Sequence, residues 1–174
     1  MLIVTEGVKT EIQYLEGMVQ FLRSSGASVR GVRSKGIGRD PGRVVKAALE
    51  INAADVDGYD EIWVLVDVDE HATLEAAISE AMASAIPMVI SNPCFEIWLL
   101  WHYEDCAAHK TAQQLERQLA KRGHADKKVP TSFPYGNHPD ATKRASVGLV
   151  EHSVRGPNPS TAMPVLIAAL QRGA

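Results

Sequence analysis

The chain has 174 residues, 45% of them hydrophobic and 22% charged, and its 18 Lys plus Arg against 21 Asp plus Glu leave a formal net charge of −3. That length fits one domain able to bury its own core, and the composition excludes a disordered, collagen-like or coiled-coil chain. No apolar run reaches the roughly 18 residues of a membrane span, and the opening MLIVTEG lacks a basic leader, so the expectation is a cytoplasmic protein with no membrane partner.

Residues 2–5 form a short apolar run that reads as a buried strand. Over 9–23, apolar side chains at Ile12, Leu15, Met18, Val19 and Leu22 recur every three or four positions and predict an amphipathic helix, with Glu11 near its start as a dipole-complementing acid. Residues 29–32 read as a second strand, followed by a flexible Gly36-Ile37-Gly38 loop. Asp40 before Pro41 makes a cap and first-turn pair for a helix over 41–52. The run 61–66 predicts a strand buried on both faces, 70–83 an alanine-rich helix and 86–90 a fourth strand. Asn92 and Pro93 read as the cap and first residue of a helix over 93–103; 111–121 is a polar helix and 123–138 a loop. Helices over 141–152 and 161–171 close the chain, the second entered through the turn at 157–160. This alternation predicts a single domain over 1–174 with a three-layer, Rossmannoid α/β fold: a mostly parallel sheet between helices, and a helical C-terminal part.

In such a sheet the chemistry sits at the C-terminal ends of the strands. The first strand runs into Glu6-Gly7 and the third into Asp67-Val68-Asp69. Asp67 and Asp69, two apart on an extended segment, share a face and repel unless a cation lies between them. With Glu6 on a neighbouring strand they would make an acidic triad for Mg2+ or Mn2+, able to activate water and neutralise a phosphate. The competing reading makes Asp67 or Asp69 a helix cap. Gly7 serves either a tight turn or the close approach of a ligand. Glu96 falls in a first helical turn, where a dipole role also explains it, and His102 shares a helix face with Trp98, as a core histidine would. Cys94 and Cys106 have neither zinc-ligand nor CxxC spacing and read as reduced thiols, Cys94 as a small buried hydrophobe.

The charge is unevenly spread. Between 23 and 46, Arg23, Arg30, Arg33, Lys35, Arg39, Arg43 and Lys46 meet a single acid, Asp40, and a second basic excess over 110–128 includes Lys127 and Lys128. Arg33, Lys35, Arg39, Arg43, Lys127 and Lys128 are candidates to grip a nucleic-acid backbone, although solvated helix faces give the same pattern.

Glu6-Gly7, Lys9-Thr10-Glu11 with Tyr14, Asp67-Val68-Asp69, the string from Ser91-Asn92-Pro93-Cys94-Phe95-Glu96 through Trp98 to His102, and Asn158-Pro159-Ser160-Thr161 together resemble the RloB-like protein family over nearly the whole chain. The resemblance implies a compact relative of the Toprim fold in which Glu6, Asp67 and Asp69 bind Mg2+. It also implies a role in restriction or abortive-infection loci, with an AAA or ABC-type ATPase as partner in anti-phage defence. On that footing the expected activity is a metal-dependent phosphodiesterase acting on RNA or DNA. Glu6 serves as ligand or as general acid or base, and Glu96 and His102 act as supporting groups or as ligands of a second metal. The alternative is a non-catalytic or latent subunit that docks on an ATPase or on nucleic acid, and a primase-like nucleotide transferase is a third reading. Self-association into a homo-oligomer is compatible with each.

Overall fold

A computed structural model describes residues 1–38, 40–68, 73–146 and 151–172. Three apolar strands form the centre of the sheet: β1 (Leu2–Thr5), β3 (Ile62–Asp67) and β4 (Met88–Asn92). Their side chains alternate between two cores, as the two-residue period of a strand requires. Leu2, Val4, Val64, Val66, Met88 and Ile90 pack with Val44, Val45 and Ala48 of α2 (Pro41–Ala54) and Leu74, Ala77 and Ile78 of α3 (Leu74–Ala83). Ile3, Trp63, Leu65 and Val89 face the other way, onto Tyr14, Leu15, Met18 and Leu22 of α1 (Thr10–Ser24) and Leu166, Ile167 and Leu170 of α7 (Met163–Gln171). Burial on both faces explains why these strands read as continuous apolar runs. The layers are therefore helix, sheet, helix.

Among the described residues five strands lie in the order β2-β1-β3-β4-β5, with β2 at Arg33–Gly36 and β5 at Ser160–Thr161. The pairings β1–β2, β1–β3 and β3–β4 are parallel; β5 runs antiparallel to β4. The chain leaves β1 for β2 on one side and returns to β3 on the other. The C-terminal ends of β1 and β3 therefore flank the point where the connections diverge, and a crevice opens there.

Several expected boundaries move. The second strand falls at Arg33–Gly36, not 29–32: register with β1 pairs Leu2 with Arg33 and Thr5 with Gly36, while Val29 and Val32 pack partly buried against the α1-side core. Gly36 thus belongs to a strand, not to a loop. The helix expected over 93–103 is α4 (Glu96–Trp101), because Asn92 ends β4 and its side chain donates to the Gly156 carbonyl at 2.8 Å. The polar helix is α5 (Ala112–Ala120), capped reciprocally by Thr111 and Gln114. The expected loop over 123–138 ends in a 3-10 turn at Tyr135–Asn137, and α6 (His138–Ala145) starts earlier than the expected 141; residues 147–150 of that expected helix lie outside the described residues. The start of the helix expected at 70 lies outside the described residues. Among the described residues, no helix is long and apolar enough to cross a membrane.

Candidate metal centre

Glu6 follows β1 directly, and Asp67 closes β3 beside it. The Glu6 N–H donates to the Leu65 carbonyl at 2.9 Å, extending the ladder by one step. The Asp67 N–H donates in turn to Glu6 Oε2 at 3.3 Å, which draws the Glu6 carboxylate across the strand ends. Asp67 Oδ1 accepts the Phe95 N–H at 2.8 Å and so binds β3 to the segment leading into α4. That segment carries Cys94 and Glu96, and one ligand atom from each of Asp67, Cys94 and Glu96 lies within 4.8 Å of the others. Sheet topology, not sequence proximity, assembles this cluster.

Glu11 is a fourth carboxylate in the same cleft. Its Oε1 accepts the Gly7 N–H at 3.0 Å. A Cβ on residue 7 would lie 1.9 to 2.2 Å from that carboxylate, so any other residue here would force the Glu11 side chain to move. The group that approaches Gly7 closely is the chain's own Glu11.

The cleft has a volume of about 650 Å³, and Glu6, Glu11, Asp67 and Glu96 line it together with Lys9 and Lys127. Burial pushes the Asp67 carboxyl well above the usual carboxylate range, and the charges of Glu96, Glu11 and Glu6 push it further. Glu11 rises to about 7, again chiefly through burial, with Glu96 and Glu6 adding to it. Burial also raises the Cys94 thiol, with Glu96 and Asp67 reinforcing the effect, so it stays protonated. Like-charged groups held this way are costly in the metal-free protein. A divalent cation would offset that cost, and a donor set dominated by carboxylate oxygens fits Mg2+ or Mn2+.

Of the acids singled out by the sequence, the structure brings Glu6, Asp67 and Glu96 together; Asp69 lies outside the described residues. It does not bring His102 to the cleft. His102 is wholly buried, with Nδ1 2.9 Å from the Trp98 carbonyl and Nε2 3.4 Å from the Tyr14 hydroxyl. Burial lowers its pKa to about 4, so the ring is neutral near pH 7. The imidazole is a core group packed against Tyr14, Trp98 and Phe133. His102→Ala should therefore cost about 2 kcal/mol in urea unfolding through the cavity it leaves, with metal affinity unchanged.

Among the basic candidates, Lys127 reaches the cleft. Its carbonyl accepts the Thr10 hydroxyl at 3.0 Å, and Gln13 Oε1 accepts the Val129 N–H at 3.0 Å, so α1 staples this loop in place. Lys128 is exposed next to it, and Arg43 stands exposed on the first turn of α2, 3.5 Å from Asp40. Arg33 lies at the opposite end of the sheet, paired in register with Leu2; Lys35 is exposed on the same strand, and Arg39 lies outside the described residues. Sequence reasoning missed Lys9 and Glu11. Glu11 had a signal: it falls in step with Tyr14, Leu15, Met18 and Leu22 on the buried face of α1, where an acid is out of place.

The family model for RloB-like protein matches residues 1–170. No curated protein and no solved structure matches the chain.

Proposed function

The chain belongs to the RloB-like protein family, and on that premise we propose that it is a divalent-metal-dependent phosphodiesterase acting on RNA or DNA. The observation that carries this reading is the half-buried Asp67 carboxylate at the sheet's switch point, with Glu6, Glu11 and Glu96 in the same cleft. Glu6 and Asp67 would hold Mg2+ or Mn2+, and Asp69, two residues on, is the proposed third ligand. When bound, the ion supplies a Lewis acid for the phosphoryl oxygen and lowers the pKa of a water.

The chain's own groups do the rest. Glu96 adds a carboxylate on the α4 side of the cleft. Phe95 fixes Asp67 through its N–H, so the carboxylate is oriented before any ligand arrives. Lys9 and Lys127 hold phosphate oxygens beside the acidic floor, and Lys128 and Arg43 extend the contact along the backbone of the nucleic acid. The family resemblance further supports an effector role in anti-phage defence, in the cytoplasm and beside an AAA or ABC-type ATPase.

Lys127→Ala should weaken nucleic-acid binding evenly across sequences and lower the slope of log affinity against log salt by about 1, as read by fluorescence anisotropy. The reading itself is tested by incubating wild type and Glu6→Gln with end-labelled single- and double-stranded RNA and DNA in Mg2+ or Mn2+. Metal-dependent cutting by the wild type that EDTA and Glu6→Gln both abolish is expected. Equal cutting by the variant, or none by the wild type with either metal, would leave the docking-subunit reading in its place.

A further inference from the structure

The second feature of note lies away from the cleft. β2 stands at the end of the strand order, so among the described residues one of its edges carries no strand. The Arg33 N–H donates to the Met1 carbonyl at 3.1 Å and the Ile37 N–H to the Thr5 carbonyl at 2.9 Å. Residues of odd number thus turn their backbone groups to β1, and by alternation Ser34 and Gly36 present N–H and C=O outward.

The two faces beside this edge differ in chemistry. On the α1 side a groove of about 320 Å³ is lined by Leu15, Val19 and Val32 together with Glu16, Gln20, Arg23 and Ser34. Arg33 and Lys35 alternate with Ser34 and therefore project on the opposite face, both exposed. Arg33 donates to the Tyr59 hydroxyl at 2.7 Å and has a long 3.8 Å approach to Asp55, exposed contacts with which an acidic partner competes.

We propose that the β2 edge accepts an extended segment of a partner protein as a sixth strand, one in which acidic and apolar residues alternate. Main-chain bonds to Ser34 and Gly36 supply the pairing. The acidic residues meet Arg33 and Lys35, and the apolar ones enter the α1-side groove. A second copy of this chain fits poorly, since pairing β2 with itself sets Arg33 and Lys35 of one copy against those of the other on the same face.

The probe is a capped, fluorescein-labelled peptide in which glutamate alternates with leucine and valine, titrated into the full chain. Hydrogen exchange of the Ser34 and Gly36 amides is followed in the same samples. Saturable binding below about 1 mM is expected, with both amides protected. The Arg33→Glu/Lys35→Glu variant should bind about tenfold more weakly, and a peptide with lysine in place of glutamate should fail to bind the wild type. Both substituted positions are exposed, and a far-ultraviolet circular dichroism spectrum checks that the variant is folded. Absent binding, or equal binding by the variant, overturns the proposal. So does concentration-dependent protection of the two amides without peptide, which would mean self-association. Displacement of the peptide by a ten-nucleotide oligouridine that protects the same amides would make this a nucleic-acid surface, and overturns it too.

Discussion

Asp67→Asn is expected to abolish cleavage while making the metal-free protein harder to unfold. Asparagine retains an Oδ1 that can accept the Phe95 N–H, so the link between β3 and α4 survives. What disappears is a negative charge that burial and three neighbouring carboxylates already disfavour. Removing it should add about 1–2 kcal/mol to stability in EDTA, a gain of the kind seen when a strained functional group is neutralised. The same change removes a metal ligand from the proposed site and should cut single-turnover cleavage by about 10³-fold. Urea unfolding and the cleavage time course can be read on one preparation. A variant that is both less stable and still active would contradict the account on two counts.

The second large effect is a pH dependence that metal erases. Glu11 ordinarily titrates near 4.5, but in the fold it rises to about 7. Between those values the folded protein binds more protons than the unfolded chain, so stability falls as pH rises through that window. The full cost, reached above pH 7, is about 3 kcal/mol, and Asp67 contributes in the same direction. His102 works the opposite way: its folded pKa of about 4 lies below the ordinary 6.5. There the unfolded chain binds the extra proton, and stability falls as pH drops from 6.5 toward 4. The two effects oppose each other in EDTA. Saturating Mg2+ satisfies the carboxylates but leaves His102 alone. The stability difference between Mg2+ and EDTA should therefore grow steadily from pH 4.5 to pH 7. A difference that stays flat with pH would mean that the acidic cluster does not take the ion.

How much of this was legible depends on what kind of signal each residue carried. β1, β3 and β4 announce themselves because burial on both faces demands unbroken apolar runs such as Ile62 to Val66. β2 hides because an edge strand needs no such run: its sequence is Arg-Ser-Lys-Gly, and the valines just before it belong to the core without belonging to the sheet. β5, at two residues, exists only through its pairing with β4. Two similar dipeptides had different fates. Asp40-Pro41 does open α2, and Asp40 accepts from Arg43, because nothing else competes for that local geometry. Asn92-Pro93 opens no helix, because Asn92 is claimed by β4 and by the Gly156 carbonyl.

The site divides in the same manner. Glu6 and Asp67 could be placed because strand ends are where parallel sheets put chemistry, and each strand was visible. Glu96 was singled out by its motif, yet only the Asp67 to Phe95 hydrogen bond shows why it meets the other acids. Glu11 hides in the sequence because a helix-dipole role accounts for an acid in a first turn, although its place on the buried face of α1 argues otherwise. His102 had the reverse problem: its motif pointed to chemistry, while its helix face pointed to the core, and the core reading is the one that packing realises.

The most direct test of the proposed metal centre is a calorimetric titration of Mg2+, and then of Mn2+, into the wild type and into Asp67→Asn, with cleavage of labelled RNA and DNA read from the same samples. Saturable binding by the wild type, cutting that rises with occupancy, and the loss of both in the variant are predicted. Identical heats from the two proteins, or no metal-dependent signal from the wild type, would contradict it.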